Sequence, residues 1–390
     1  MINNVRRNII TGIDIGSSSI RVAVTERFKD QEAPAVLALV KKNSRGLRRG
    51  YIVNMEETVE CLKDALNEAE KVAKIKISKA FVGVSGVTIE SRLSDGLVVV
   101  SRSDMEVTNN DVKRAMEEAE GLLPDMNNRL VLHRFPQSFK VDGKKVVGHP
   151  EGMRGERLEV HSLFITGSRQ HVKDFIQAVE DAGVIVDGVI VSALASSGVL
   201  LSKMQRASGC VLANIGSQTT SIAVFEESQP ISLSVFPVGS TDVTNDIALG
   251  FKISIEEAER MKKREAEPAG ARRKLDDIIE ARVSDIFDFI EMHLKKIGRD
   301  GLLPAGIVIT GGGSNISNIE EMARSYFRLP AKIASPARLE NSEGQTIDPY
   351  WSVAYGLCAY QDEDEAIDQK QKMAGLLRHK FWNWIKEFMP

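Results

Sequence analysis

The sequence predicts an α/β protein of two related lobes with a small inserted α+β subdomain, and three observations carry that expectation. The first is residues 10–24, where two apolar-alternating runs flank a polar turn from Gly16 to Ser19. Alternation of period two reads as strand, and the short Gly-Ser turn closes a hairpin. The second is the return of this stretch two hundred positions later, at 211–224. Ile15/Ile215, Gly16/Gly216, Ser17/Ser217, Ala23/Ala223 and Val24/Val224 are identical, and Asn214 stands where the first copy has Asp14. Such a repeat marks a duplicated lobe with two turns facing one ligand. The third is residues 306–314, an apolar strand running into Gly311, Gly312 and Gly313. Without side chains there, a planar group or a phosphate can approach the backbone closely.

At 390 residues the chain is long enough for two or more domains and a sizeable core. A net charge of −3 supplies no basic field, so nucleic acid is not an expected partner. Cys61, Cys210 and Cys358 are far apart and show no Cys-x-x-Cys spacing, which fits core residues in a reducing cytoplasm. Arg6 and Arg7 lead straight into the first strand, so no cleavable signal is expected, and no apolar run reaches the ~20 residues of a bilayer span.

In chain order, residues 1–82 are expected to form the first lobe. It holds the hairpin, a strand at 36–40, a basic loop at 41–49 and a helix opened by Asn54 and Glu57. A buried strand at 80–84 completes it. Residues 83–166 change texture and read as the insertion. Strand-like runs at 87–92, 97–101, 130–132, 138–141 and 158–164 surround one helix started by Thr108 and Asp111, and Asp142-Gly143 is a hairpin turn. His133, His149 and His161 match no metal-ligand spacing. Residues 167–193 return to the first lobe. Residues 194–253 begin the second lobe, and 192–204 form a helix of small residues fit to cross between the lobes as a hinge. A strand at 231–238 and a helix at 241–250 follow. Residues 254–300 are a second insertion, with Glu259 and Lys262 three apart on one helix face, a surface salt bridge on the simplest view. Residues 301–360 finish the lobe with a closing helix from 349, and 361–373 form an acidic linker. In 374–390, Leu377, Phe381, Trp382, Trp384, Ile385 and Phe388 share one broad apolar face opposite Lys380 and Lys386. Such a helix is too short to span a bilayer and suits lying in its interface.

Neither turn is a Walker P-loop, since no Gly-Lys-Ser/Thr follows, and the dinucleotide pattern Gly-x-Gly-x-x-Gly is missing. Two Gly-Ser turns bearing hydroxyls, one preceded by a carboxylate, suit phosphate oxygens and a hydrated Mg²⁺.

The whole order of hairpin, insertion, second hairpin, glycine strand, linker and amphipathic tail resembles the bacterial FtsA family of actin-like cell-division proteins. Agreement is tightest at 12–19, 50–53, 193–197, 243–247 and 306–313, and 381–386 is similar to that family's membrane-targeting helix. The resemblance implies an actin-like two-lobed fold with an SHS2-like subdomain at 83–166. It implies ATP and Mg²⁺ as ligands. Asp14, Gly16, Ser17, Ser18 and Ser19 would form the first phosphate turn, with Asp14 reaching Mg²⁺ through water. Asn214, Gly216, Ser217, Gln218 and Thr219 would form the second. Gly311, Gly312, Gly313 and Ser314 would face the adenosine, with Glu259 and Lys262 near the ribose. It further implies a peripheral protein at the cytoplasmic face of the septal membrane, which polymerises, contacts anionic lipid and tethers FtsZ among other division proteins. The FtsZ C-terminal peptide would bind the second-lobe insertion, with Arg272, Arg273 and Lys274 as basic contacts. One departure matters. The superfamily usually carries Asp at the position of Asn214, and a neutral amide cannot act as a base and attracts Mg²⁺ less. ATP binding with at most weak hydrolysis is therefore expected. The alternatives are an actin-like pilus-assembly adaptor, which would lack the tail, and a sugar or acid kinase, which would need a carboxylate base.

Overall fold

Each lobe grows from its hairpin. In the structure, a computed structural model describing residues 8–28, 34–266, 270, 272–334 and 348–360, Asn8–Ile15 and Ser19–Arg27 pair antiparallel from Ile15↔Ile20 outward. Ile13, Ile20, Val22 and Val24 are fully buried, because this hairpin is the centre of a sheet covered on both faces. Lys79–Val84 adds parallel to the first strand, Ile185–Val191 adds beyond it, and Ala35–Asn43 extends the other edge. The second hairpin, Cys210–Ile215 and Thr220–Glu226, sits in a sheet of the same order. Ala331–Ile333 and Ile307–Thr310 lie on its parallel side and Gln229–Phe236 on its antiparallel side. The repeated sequence stands in a repeated sheet.

Helices cover both sheets. Met55–Ala73 is capped by Asn54, whose side chain accepts from the Glu57 amide, and it buries Leu62, Ala65 and Ala69. The long helix Arg272–Lys296 fills the second lobe with Leu275, Ile279, Val283, Ile286, Phe287, Ile290 and Leu294. The helix expected at 241–250 spans Ser240–Phe251 and is closed by left-handed Lys252 rather than by Gly250. Gly250 has another duty, since a Cβ there would lie 2.6 Å from Ile278 of the long helix.

The insertion is an antiparallel sheet of Glu90–Val99, Arg157–Ser168, Arg129–Val141 and Lys144–Val146 under the helix Asn109–Gly121. The expected short runs fuse here. The runs at 87–92 and 97–101 belong to one strand, as do those at 130–132 and 138–141. Register shifts opposite His161/Ser162 and Ile165/Thr166 let the second strand carry Pro136 and its polar neighbours without ending. Asp142 and Gly143 take φ of 50° and 75°, as a two-residue hairpin requires. The insert's sheet continues that of the second lobe through Ser234↔Glu90.

Two short helices lead the chain from the first lobe to the second. The expected helix 192–204 ends earlier, as Ser192–Leu200, and Lys203–Ser208 restarts from a reciprocal cap between Ser202 and Gln205. Ser202 supplies the break, since its side chain satisfies the amides of a new helix start. The closing segment is a 3₁₀ turn, Pro349–Trp351, followed by the helix Ser352–Ala359. The expected linker and apolar tail, 361–390, lie outside the described residues, as does the apolar face from Leu377 to Phe388. Among the described residues no helix is long and apolar enough to cross a membrane.

Candidate functional site

The two hairpin turns face one another across a cleft of about 620 Å³. Each turn is closed by its own backbone. The Gly16 amide donates to the Ser19 carbonyl at 3.1 Å, and the Gly216 amide donates to the Thr219 carbonyl at 2.8 Å. A Cβ on Gly216 would stand 2.8 Å from that same carbonyl, so the turn excludes any larger residue. Ser240 and Thr241, at the start of a helix, donate their amides to the carbonyls of Gly216 and Ser217 and lock the second turn in place.

Of the residues expected from the sequence, Asp14, Ser18, Ser19, Asn214, Gly216, Ser217, Thr219, Glu259, Lys262, Gly311 and Gly312 line the cleft. The others stand behind it. The Ser17 hydroxyl accepts from the Gly50 amide at 3.1 Å, and Gln218 Oε1 accepts from the Arg49 amide at 2.6 Å. The loop around Arg49 thereby joins the two hairpin turns, one from each lobe. Gly313 packs against Ile215, and the Ser314 hydroxyl donates to the Gly311 carbonyl at 2.7 Å.

The third wall is glycine for reasons the geometry supplies. Gly311 has φ of 85°, and a Cβ there would meet Asn214 Oδ1 at 2.2 Å. Gly312 differs, since a Cβ on it meets nothing within 4 Å, and it faces the cleft. Two buried hydroxyls have no hydrogen-bond partner among the described residues, that of Thr310, next to Gly311 in the chain, and that of Ser192, which lines the cleft from beside Gly83. An orphaned donor on the cleft wall, such as Ser192, is what a bound polar molecule would satisfy.

Glu259 and Lys262 form a network that is buried at the lysine and partly exposed at the carboxylate. Lys262 is 8 % exposed. Its Nζ lies 2.7 Å from Glu259 Oε2 and donates to Thr244 Oγ1 and the Ser240 carbonyl, while the Thr244 hydroxyl donates to Glu259. Burial pushes the Lys262 ammonium pKa down despite Glu259. For Glu259, burial works against the charge, but the hydrogen bonds from Lys262 and Thr244 outweigh it and hold the carboxyl below its usual range.

Sequence reasoning missed Arg21, Lys41 and Tyr350, which also line the cleft. Arg21 Nη1 donates to Asp14 Oδ2 at 2.8 Å, and its guanidinium carbon lies 3.7 Å from the centre of the Tyr350 ring. Lys41 Nζ stands 4.6 Å from the same ring centre. A signal for Arg21 existed. In a hairpin with Ile15 opposite Ile20, Asp14 is directly opposite Arg21, and cross-strand neighbours interact. Burial raises the Asp14 pKa, and Arg21 only partly offsets it. Arg272 and Arg273 are exposed at the start of their helix. Lys274 is committed to its own chain, donating to the Gly250 carbonyl and lying over the Phe251 ring.

Two lobes of matching sheet order, closing on a cleft between glycine-serine turns, define an actin-like ATPase fold. Solved structures bear this out. The chain is similar to one in the PilM–PilN type IV pilus biogenesis complex, with a TM-score of 0.63 and 19% identity over 90% of this chain and 97% of that one. It is similar to MreB5 of Spiroplasma citri bound to ADP, with a TM-score of 0.53 and 14% identity over 92% and 97% of the two chains. Within that fold, the family model for the cell division protein FtsA matches residues 211–356, and the model for the SHS2 domain inserted in FtsA matches 86–166. The chain is 31% identical to the FtsA of Borreliella burgdorferi, covering 96% of each, and 32% identical to that of Bacillus subtilis, covering 93% of this chain and 86% of the relative. It belongs to the FtsA family of actin-like cell-division proteins.

Proposed function

We propose that the protein binds ATP between its lobes, polymerises on the cytoplasmic face of the membrane at the septum, and tethers FtsZ filaments there. The observation that carries the nucleotide is the convergence of two hydroxyl-bearing turns and an open glycine wall on one cleft. On this reading the phosphates lie between Ser18–Ser19 and Ser217–Thr219, the adenosine lies on Gly311 and Gly312, and the ribose lies near Glu259 and Lys262. That MreB5, of the same fold, holds ADP supports it. The bound nucleotide acts as a conformational ligand that favours the closed, polymerising arrangement of the lobes. Turnover is slow, because Asn214 is neutral and the carboxylates of Asp14 and Glu259 are both occupied by cations.

Mg²⁺ fits the cleft poorly. A hydrated divalent ion is held by carboxylates, and Asp14, the carboxylate beside the turns, is already ion-paired with Arg21. The FtsZ peptide, acidic and partly apolar, would meet Arg272 and Arg273 on the second lobe, with Lys274 less available.

The tail at 374–390 supplies the membrane contact. One interfacial helix binds about as marginally as a single acyl chain, and anionic lipid adds a modest attraction for Lys380 and Lys386. Many tails on one filament turn later contacts into intramolecular ones. Liposome flotation with ATP and FtsZ tests the reading. The wild type is expected to float and to carry FtsZ with it. Trp384→Glu, which puts a charge at the centre of the apolar face, is expected to leave both in the bottom fraction with an unchanged melting temperature. Flotation retained by Trp384→Glu would refute the anchor.

A further inference from the structure

We propose that Arg21 takes the place of a divalent cation at the first phosphate turn, so that nucleotide binds in this cleft with little dependence on Mg²⁺. The inference rests on the nucleotide reading above and concerns what neutralises the phosphates.

Three features converge on it. The first is that the carboxylate beside the first turn is already shared with a cation. Asp14 is 7 % exposed and gives one oxygen to Arg21 at 2.8 Å. At the matching position of the second hairpin stands neutral Asn214, opposite Ser221 instead of an arginine. A metal beside Asp14 would have to share that carboxylate with a guanidinium 2.8 Å away and be repelled by its positive charge, with no second carboxylate at the other turn to compensate.

The second feature is that Arg21 is fixed and still has bonding capacity. Its guanidinium stacks on Tyr350, whose hydroxyl lies 3.4 Å from the Ser19 hydroxyl of the phosphate turn. Its Nε is enclosed by the protein, so the bonding capacity open to the cleft lies in its Nη groups. A guanidinium carries five donors in a rigid fork, so it can hold a carboxylate with one edge and a phosphate oxygen with another. An arginine held by Asp14 and Tyr350 is pre-oriented, and little side-chain entropy is lost when an anion arrives.

The third feature is the charge left on the wall. Asp14 and Arg21 cancel, and on the facing lobe Glu259 and Glu265 balance Lys262 and Lys263. Lys41 adds a further positive charge beside Tyr350 and makes no ion pair among the described residues. The first-turn side of the cleft therefore offers Arg21 and Lys41 to a polyanion, with the single carboxylate there already bridged to one of them.

The test is binding of a fluorescent ATP analogue to the full-length protein, in Mg²⁺ and in EDTA. Wild type is expected to bind with affinities within about threefold of each other. Arg21→Ala is expected to lose about tenfold or more in EDTA, the worth of one charge-assisted hydrogen bond, while Arg21→Lys recovers part of the loss. Asp14→Asn keeps the side-chain shape, removes a negative charge from the cleft and releases Arg21, so binding in EDTA is expected to tighten. Melting curves of the variants separate misfolding from lost binding, and Asp14→Asn decides the matter if Arg21→Ala does not fold. Wild-type binding that appears only with Mg²⁺, or that Asp14→Asn abolishes in EDTA, would overturn this inference and leave the nucleotide reading standing. No binding in either condition would overturn both.

Discussion

Gly312 separates what the cleft does from what the fold needs. Its neighbours are glycine under steric compulsion, since Gly311 abuts Asn214 and Gly313 abuts Ile215. A Cβ on Gly312 touches nothing within 4 Å, and its φ is not in the left-handed region. Stability therefore gives no reason for glycine there, whereas close approach by a ligand does. Gly312→Val is expected to leave the melting temperature of the nucleotide-free protein unchanged and to weaken ATP binding about tenfold by occupying the surface on which the base would lie. Equal affinity of the two proteins in a titration would remove Gly312 from the site. Residues of this kind were legible in the sequence because a strand entering three glycines is a local pattern. Arg21 was legible in principle from hairpin register, but Tyr350 was not. It reaches the turn from more than three hundred positions away, and no periodicity in either segment announces their meeting.

At the scale of elements, the sequence was a good guide wherever a cap decides the boundary. Thr108 and Asp111 form the reciprocal cap their spacing suggests. The Thr108 hydroxyl donates to Asp111 Oδ2 at 2.6 Å, and Asp111 Oδ1 accepts from the Ser101 amide and hydroxyl at 3.0 and 2.8 Å. It was a poor guide to the insert's strands, where Pro136 and polar neighbours imitate a loop. Only the bulged pairing with Arg157–Ser168, a long-range fact, keeps them extended. Asp111 gives this element a pH signature. Burial raises its pKa, but hydrogen bonds from Thr108 and Ser101 prevail and lower it from 3.8 to about 2. A carboxylate whose folded pKa is depressed stabilises the fold above its unfolded pKa, and that contribution is lost as pH falls through the folded value. Asp111→Asn is therefore expected to destabilise the insert by about 1–2 kcal/mol at neutral pH. The difference from wild type should persist down to pH 3.8 and close as pH approaches about 2. Hydrogen exchange of the Asn109–Gly121 amides across that range is the measurement, and a difference independent of pH would show that the charge of Asp111 is not the source.

Across the whole molecule, duplication was the most legible property, because two copies of one hairpin at a fixed offset survive as identities while the rest diverges. How the copies dock was not legible. The lobes meet through contacts that no local pattern encodes, such as Arg49 to Gln218 at the back of the cleft and the crossing of Ser192–Leu200 over Ser352–Ala359. The crossing is close enough to be decisive. A Cβ on Gly356 would stand 2.1 Å from the Ala195 carbonyl, so the two helices are in backbone contact, and the buried Ala193 and Ser196 beside it are correspondingly small. The chain passes between lobes through the first of these helices, while the second closes the first lobe after the chain's return. Their contact therefore sets the angle at which the two hairpin turns face each other. Interiors packed to this density respond to added volume by shifting and not by compressing. Gly356→Val is expected to lower stability by about 1–3 kcal/mol through overpacking. Because it splays the pair, it should also open the cleft, weakening nucleotide binding although it lies outside the cleft wall. The unliganded and ATP-loaded melting curves of this variant decide between two readings. A lower melting temperature with the full wild-type increment from ATP would mean that the crossing only holds the fold together. A lower melting temperature with a reduced increment would mean that the crossing couples the lobes to the nucleotide, which is the outcome the geometry favours.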